Sequence, residues 1–309
     1  MQNRFTTAFI STVFQIGLIT KKRFAKSFYD PAAFIMTDTD IEKAEIDLFI
    51  DAVYRRYGYD FRHYAKASLR RRVRSLLQKT GLHKVSEMIP KLLHDENFFE
   101  NVVRELSVTV TEMFRDPDFF RAVREKVIPY LRTYPFVKIW HAGCATGEEA
   151  YSLAVVLTEE GLYERSTVFA TDFNPAALEK AKEGIFSLSA MKDFTANYQQ
   201  SGGTGSFSDY YHARYGSAII NNALKQKITF ADHNLVTDGV FGEMNLILCR
   251  NVMIYFDKIL QNRVIRLFYD SLIHKGFFCL GTKESLQFSD IGDRFALIDE
   301  KQKIWQKKI

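Results

Sequence analysis

From residue 137 onward, short apolar runs alternate with stretches of helical spacing, and this alternation constrains the fold more than any other feature of the chain. The runs are 137–140 (VKIW), 167–170 (TVFA), 228–230 (ITF), 245–249 (NLILC) and 277–280 (FFCL). Each is short and rich in β-branched or aromatic residues, as a buried strand is. Between them, residues 149–157, 175–183 and 258–273 place apolar side chains at helical steps. Such alternation predicts parallel strands joined by helical crossovers, an α/β doubly wound sheet. The glycine- and serine-rich stretch 201–208 (SGGTGSFS) interrupts the pattern and predicts an insertion with a mobile loop.

Upstream the texture differs. Ile46, Phe49, Ile50, Val53 and Tyr57 recur at three- and four-residue steps, as do Leu69, Val73, Leu76 and Leu77, and again Phe98, Phe99, Val102, Val103 and Leu106. Gly58 and Gly81 sit where two of these helices should close. A chain of 309 residues exceeds one comfortable core. The expected division is therefore an extension over 1–36, a small all-α domain over 37–131, and the α/β domain over 132–309.

Composition narrows the classes. Hydrophobic residues make up 47% and charged residues 26% of the chain, an ordinary globular balance. A net charge of +5 is too mild to imply nucleic-acid binding on its own. Cys144, Cys249 and Cys279 lie far apart without metal-ligand spacing, which suggests a reducing cytoplasm, no disulfide framework and no metal. The apolar stretch 5–20 is shorter than the roughly 20 residues a membrane span needs, and it lacks a signal-peptide cleavage site. The expectation is an interfacial helix or an extension upstream of a start at Met36, with no stable membrane insertion.

Three segments carry chemistry. In IWHAGCATGEEAYSLA (139–154), Gly143 and Gly147 fall between a strand and a helix, Gly143 allowing a tight bend and Gly147 a close approach to a ligand. Glu148 and Glu149 follow, where they repel a diphosphate and favour a cationic ligand such as S-adenosylmethionine; simple helix-terminus charge is the alternative. Asp172 ends the second strand, positioned either for ribose hydroxyls or as a helix cap. In NLILCRNVMIYF (245–256), Arg250, Asn251 and Tyr255 lie where the strand opens, the place at which open α/β sheets bind ligands; Asn251 could also cap the next helix. A fourth segment, ASLRRRVRSLLQK (67–79), hides Leu69, Val73, Leu76 and Leu77 and exposes Arg70, Arg71 and Arg74 on a basic face, with Arg72 at the flank. This face is either a solvated surface or a dock for a Glu-rich helix.

The segments LSVTVTEMFRD, IWHAGCATGEEAYSLA, ATDFNPAALEKA, ADHNLV and LILCRNVMIYFDK resemble, in order and spacing, the CheR family of chemotaxis-receptor methyltransferases. The resemblance spans residue 37 to the C-terminus. It implies a Rossmann-like class I methyltransferase domain, with a small antiparallel β-subdomain inserted at about 187–227, behind a small all-α domain. It implies S-adenosylmethionine as cofactor, with S-adenosylhomocysteine as product. Carried over by motif, Thr109, Thr111, Arg115, Glu148, Glu149, Asp172, Asn234, Leu235, Arg250 and Asn251 hold the cofactor, and Arg115 and Tyr255 lie closest to the substrate carboxylate. The implied activity is protein-glutamate O-methylation of a chemoreceptor or similar Glu-rich helical signalling protein, by a cytoplasmic monomer that does not act on nucleic acid. Thr109 stands where receptor-modifying members carry Asn, Ala150 where Pro is common, and the insertion does not closely match a subdomain that grips a receptor's C-terminal peptide. No Asp-Pro-Pro-Tyr-like tetrad or Pro-Cys pair for attack on a nucleobase is present. The alternatives are a methyltransferase acting on a non-receptor substrate and a non-catalytic cofactor-binding regulator, which would have lost Arg115 or Tyr255.

Overall fold

A computed structural model describes residues 36–240, 242–287 and 289–308. The apolar stretch 5–20 and the rest of 1–35 lie outside the described residues. The chain divides into two compact units, 1–45 and 46–309. In the first, the helix Asp38–Tyr57 begins behind Thr37, whose hydroxyl oxygen accepts the Asp40 N–H at 3.2 Å. Among the described residues no helix is long and apolar enough to cross a membrane.

The second unit opens with helices whose stripes follow the expected periodicity. Lys66–Thr80, Met88–His94 and Glu96–Leu106 enclose a core of Phe49, Ile50, Val53, Leu69, Val73, Leu76 and Val102. Gly81 closes the first of these helices in the left-handed region at φ 68°, and Asp95 caps the last by accepting the Phe98 N–H at 3.2 Å.

Ten strands follow: β1 Val137–Ala142, β2 Ser166–Asp172, β3 Ile185–Ser187, β4 Tyr211–Arg214, β5 Ser217–Ile220, β6 Ile228–Asp232, β7 Met244–Cys249, β8 Leu272–Leu280, β9 Phe295–Asp299 and β10 Ile304–Lys307. Seven form one sheet in the order β6-β2-β1-β7-β8-β10-β9. The first five are parallel, and β10 and β9 add antiparallel at one edge. Residues 272–273, expected to end the preceding helix, instead begin β8, because the helix stops at Ser271. The chain passes from β1 to β2 and β6 on one side, then returns to β7 on the other, so β1 is the switch point beside which such sheets bind ligands. The insertion forms its own antiparallel sheet, β3-β5-β4, with the helix Met191–Gln200 between β3 and β4.

Two expectations need correction. Residues 117–131, assigned by the expected division to the helical domain, pack with the sheet. Phe119, Phe120, Val127 and Leu131 share a core with Ile139, Val155 and Val168. Periodicity identifies the apolar face of a helix but not the core that receives it. The loop 201–208, expected to be mobile, is tied down. Glu159 accepts the Thr204 N–H at 3.2 Å and the hydroxyls of Tyr198 and Tyr210, and the Gly205 N–H donates to the Tyr198 hydroxyl at 2.9 Å.

Candidate active site

The loop after β1 is built from left-handed residues: Gly143 at φ 75°, Ala145 at 49° and Gly147 at 93°. The N–H groups of Gly143 and Cys144 donate to the Thr171 carbonyl at 2.8 and 2.9 Å. The buried Asp172 carboxylate accepts the N–H of Ala145 at 2.9 Å and that of Asn174 at 3.0 Å. Burial pushes the Asp172 pKa upward, against these two donors. Asn174, not Asp172, caps the following helix. A Cβ on Gly143 would lie 2.5 Å from Val252, so this glycine lets the loop after β1 meet the turn after β7. A Cβ on Gly147 would lie 3.0 Å from the Cβ of Ala181 and 3.2 Å from its Cα. Gly147 therefore makes room for the neighbouring helix, a packing role its expected approach to a ligand did not include.

Beside the loop lies a buried charge chain. Arg250 Nη1 donates to Glu149 at 2.6 Å, and its Nη2 donates to Asp116 at 2.6 Å. Its guanidinium carbon lies 3.9 Å from the centre of the Phe119 ring. Glu149 also pairs with His141 Nε2 at 3.0 Å. Burial alone would raise the Glu149 pKa, but the Arg250 charge and His141 outweigh it and hold it below the usual carboxylate value. Glu148 instead accepts the Thr146 hydroxyl at 2.7 Å, with its pKa raised by burial.

The same arginine fixes the segment between the domains. Arg250 Nη1 reaches the Arg115 carbonyl at 3.3 Å, and Phe114 and Asp116 on either side both have positive φ, 53° and 57°. Non-glycine residues stay in that region only where their surroundings hold them. Here the Phe114 N–H donates to Ser152 Oγ at 2.8 Å, and the Phe114 ring packs edge-on against Phe120, Tyr198 and Phe207.

These elements enclose two adjoining hollows. One is lined by Tyr64, Leu69 and Arg72 of the helical domain and by Asp172, Phe173, Asn234 and Leu235. The other is lined by Thr111, Arg115, Glu149 and Arg250. Gly143, Asn251 and Tyr255 belong to both. Ten of the expected residues therefore converge: Thr111, Arg115, Gly143, Glu149, Asp172, Asn234, Leu235, Arg250, Asn251 and Tyr255. Thr109 and Glu148 line neither hollow, and nor do Arg70, Arg71 and Arg74. Asn251 is not the cap of the next helix, since Asp257 performs that role by accepting the Leu260 N–H at 2.9 Å.

Several polar groups on these walls are unspent. Among the described residues, the buried His141 Nδ1 and Asn251 Oδ1 have no hydrogen-bond partner. No side-chain partner is found there for the Arg115 guanidinium or the Tyr255 hydroxyl. Buried polar atoms without partners are rare in native proteins and fit a site that a polar ligand completes. Among the described residues, no group of three or more His, Cys, Asp or Glu is placed to hold a metal.

Sequence reasoning left two contributors out. Arg72 turns inward from the flank of its helix, donating to the carbonyls of Glu105 at 3.2 Å and Ser107 at 2.9 Å, with its guanidinium carbon 5.6 Å from the centre of the Tyr255 ring. Its only signal was its position at the edge of the apolar stripe. Glu284, past the end of β8, is buried against the turn that carries Asn251, and its signal was the GTKE following that strand.

A family model described as CheR methyltransferase, all-alpha domain, matches residues 44–107, and one described as CheR methyltransferase, SAM binding domain, matches residues 109–304. Cher3 of Pseudomonas putida, which carries a provisional methyltransferase name, is 49% identical over 270 residues, covering 87% of this chain and 98% of its own. The chemotaxis protein methyltransferase of Salmonella typhimurium is 30% identical over 254 residues, covering 79% of this chain and 84% of its own. That of Listeria innocua is 27% identical over 249 residues, covering 80% and 92%.

Proposed function

The chain belongs to the CheR methyltransferase family and is an S-adenosylmethionine-dependent methyltransferase; from that premise we propose that it esterifies glutamate side chains of a chemoreceptor-like, Glu-rich helical signalling protein. The observation that carries this reading is the pairing of Arg115 and Tyr255 on one hollow with Glu149 and Arg250. A cationic fork and a hydroxyl donor, both without side-chain partners, suit a carboxylate.

The cofactor, when bound, supplies an electrophilic methyl group on a sulfonium. In this reading Asp172, Asn234 and Leu235 hold its nucleoside end, against the aromatic wall of Tyr64 and Phe173. Glu149, Arg250, Thr111 and Asn251 would hold its amino-acid end, the orphaned Asn251 Oδ1 being an acceptor suited to its ammonium. Glu148 and Thr109 act from outside the hollows, through the loop and the interdomain segment that carry them.

A glutamate carboxylate, with an ordinary pKa near ~4.3, is already anionic at neutral pH, so its reaction needs no general base. His141, the one imidazole on the second hollow, is engaged with Glu149. Arg115 and Tyr255 orient the carboxylate, and the apolar Val108 and Val252 restrict water. Arg70, Arg71 and Arg74 form the dock for the acidic helix. The test is transfer of labelled methyl from S-adenosylmethionine to a chemoreceptor signalling domain. The label should leave as methanol in mild alkali. Alkali-stable label, or label appearing only in nucleic acid, would overturn the assignment.

A further inference from the structure

The turns after β7 and β8 leave the sheet side by side, since Cys249 and Leu280 are partners in register. The first turn carries Arg250, Asn251 and Tyr255. The second is G-T-K-E, ending at Glu284, which is only 5% exposed. One Glu284 oxygen accepts the N–H of Gly281 at 2.7 Å and that of Asn251 at 2.9 Å, and the other accepts the N–H of Ile254 at 3.2 Å. A Cβ on Gly281 would stand 2.8 Å from the Asn251 amide nitrogen, Nδ2, and 2.9 Å from both the Asn251 main-chain nitrogen and the Glu284 carboxylate. The missing side chain at 281 is therefore what lets the two turns touch.

We propose that Glu284 is a positioning residue for methyl transfer, its carboxylate clamping the turn that presents Asn251 to the cofactor. Asn251 sits in the left-handed region at φ 61°, with its Oδ1 buried and unpartnered on the wall of the hollow. A lone Asn tolerates that backbone, but its unpartnered Oδ1 makes no local hydrogen bond to fix it. The Glu284 oxygens, bonded to the N–H of Asn251 and to that of Ile254, hold it there. Both oxygens are taken by main-chain donors, so only the carboxylate form completes the clamp; an amide in its place would set an N–H against an N–H. Burial pushes the Glu284 pKa upward, while these same backbone donors push it back.

The inference rests on the cofactor-binding half of the reading above and not on the acceptor, so binding of S-adenosylhomocysteine tests it even if glutamate proves the wrong substrate. Calorimetry separates position from folding. A merely structural residue changes the fraction of molecules able to bind, whereas a positioning residue changes the dissociation constant of those that do. Glu284→Gln should weaken the dissociation constant by about ten- to hundredfold, since it leaves buried donors unmet, at near wild-type stoichiometry. Gly281→Ala, which displaces the same turn by another route, should act in the same direction and decides the matter if Glu284→Gln fails to fold. Val264→Ala, in the buried face of the helix Lys258–Ser271, should lower the melting temperature and leave the constant unchanged. A wild-type dissociation constant in both site variants, with only the binding fraction reduced, overturns the proposal.

Discussion

At the scale of single residues, the site contrasts satisfied charges with unsatisfied ones. The two terminal nitrogens of Arg250 are engaged, by Glu149 and Asp116, with the guanidinium over the Phe119 ring. Arg115 and Tyr255 retain their donors. A hydrogen bond to a charged group is worth about 1.5–3 kcal/mol, which corresponds to roughly a ten- to hundredfold change in rate. Tyr255→Phe should therefore slow methyl transfer by about one to two decades while leaving cofactor affinity within about threefold, because its ring and backbone remain in place. Arg115→Ala should slow transfer at least as much and also raise the acceptor's KM. Single-turnover kinetics alongside calorimetry would measure both effects, and wild-type turnover by Tyr255→Phe would mean that the reacting face lies elsewhere.

At the scale of elements, the helix Lys66–Thr80 has two distinct faces of arginine. Arg72 turns toward Tyr255, whereas Arg71 and Arg74 are exposed and Arg70 is half-buried. An exposed ion pair contributes about 0.2–1 kcal/mol, so reversing one of the outer arginines should weaken acceptor binding slightly and reversing all three severely. Salt should act in the same direction. With a Debye length of about 8 Å at physiological ionic strength, the KM for the protein acceptor should rise with added salt far more than that for S-adenosylmethionine. If the triple Arg→Glu variant methylates as well as wild type at low salt, this helix does not dock the acceptor.

At the scale of the molecule, the first hollow has walls from both domains, with Tyr64, Leu69, Arg72 and Leu106 facing Asp172, Asn234 and Asn251. A ligand filling it binds only where both are folded and in register. S-adenosylhomocysteine at about a hundred times its dissociation constant should add about 2.7 kcal/mol of stability. In scanning calorimetry this should shift the unfolding of both domains to higher temperature together. NAD should give no shift, since the loop after β1 has GxxxG spacing and not the GxGxxG that seats a diphosphate. A helical domain that melts at an unchanged temperature under saturating S-adenosylhomocysteine would remove it from the site.

The sequence by itself determined the class of the fold and most of the residues that line the two hollows. Strand–helix alternation, the glycine loop, Asp172 and the Arg250–Asn251 turn are each local patterns, and local spacing decides where a turn falls and which residues stand at the end of a strand. Only the tertiary structure decided that residues 117–131 belong to the sheet's core, that Gly147 makes room for Ala181, that Arg72 rather than its neighbours enters the cleft, and that Glu284 locks the turn at Asn251. Each of these depends on which elements become neighbours. Glu284 and Asn251 stand 33 positions apart in the chain, yet they meet because β7 and β8 pair in one particular register.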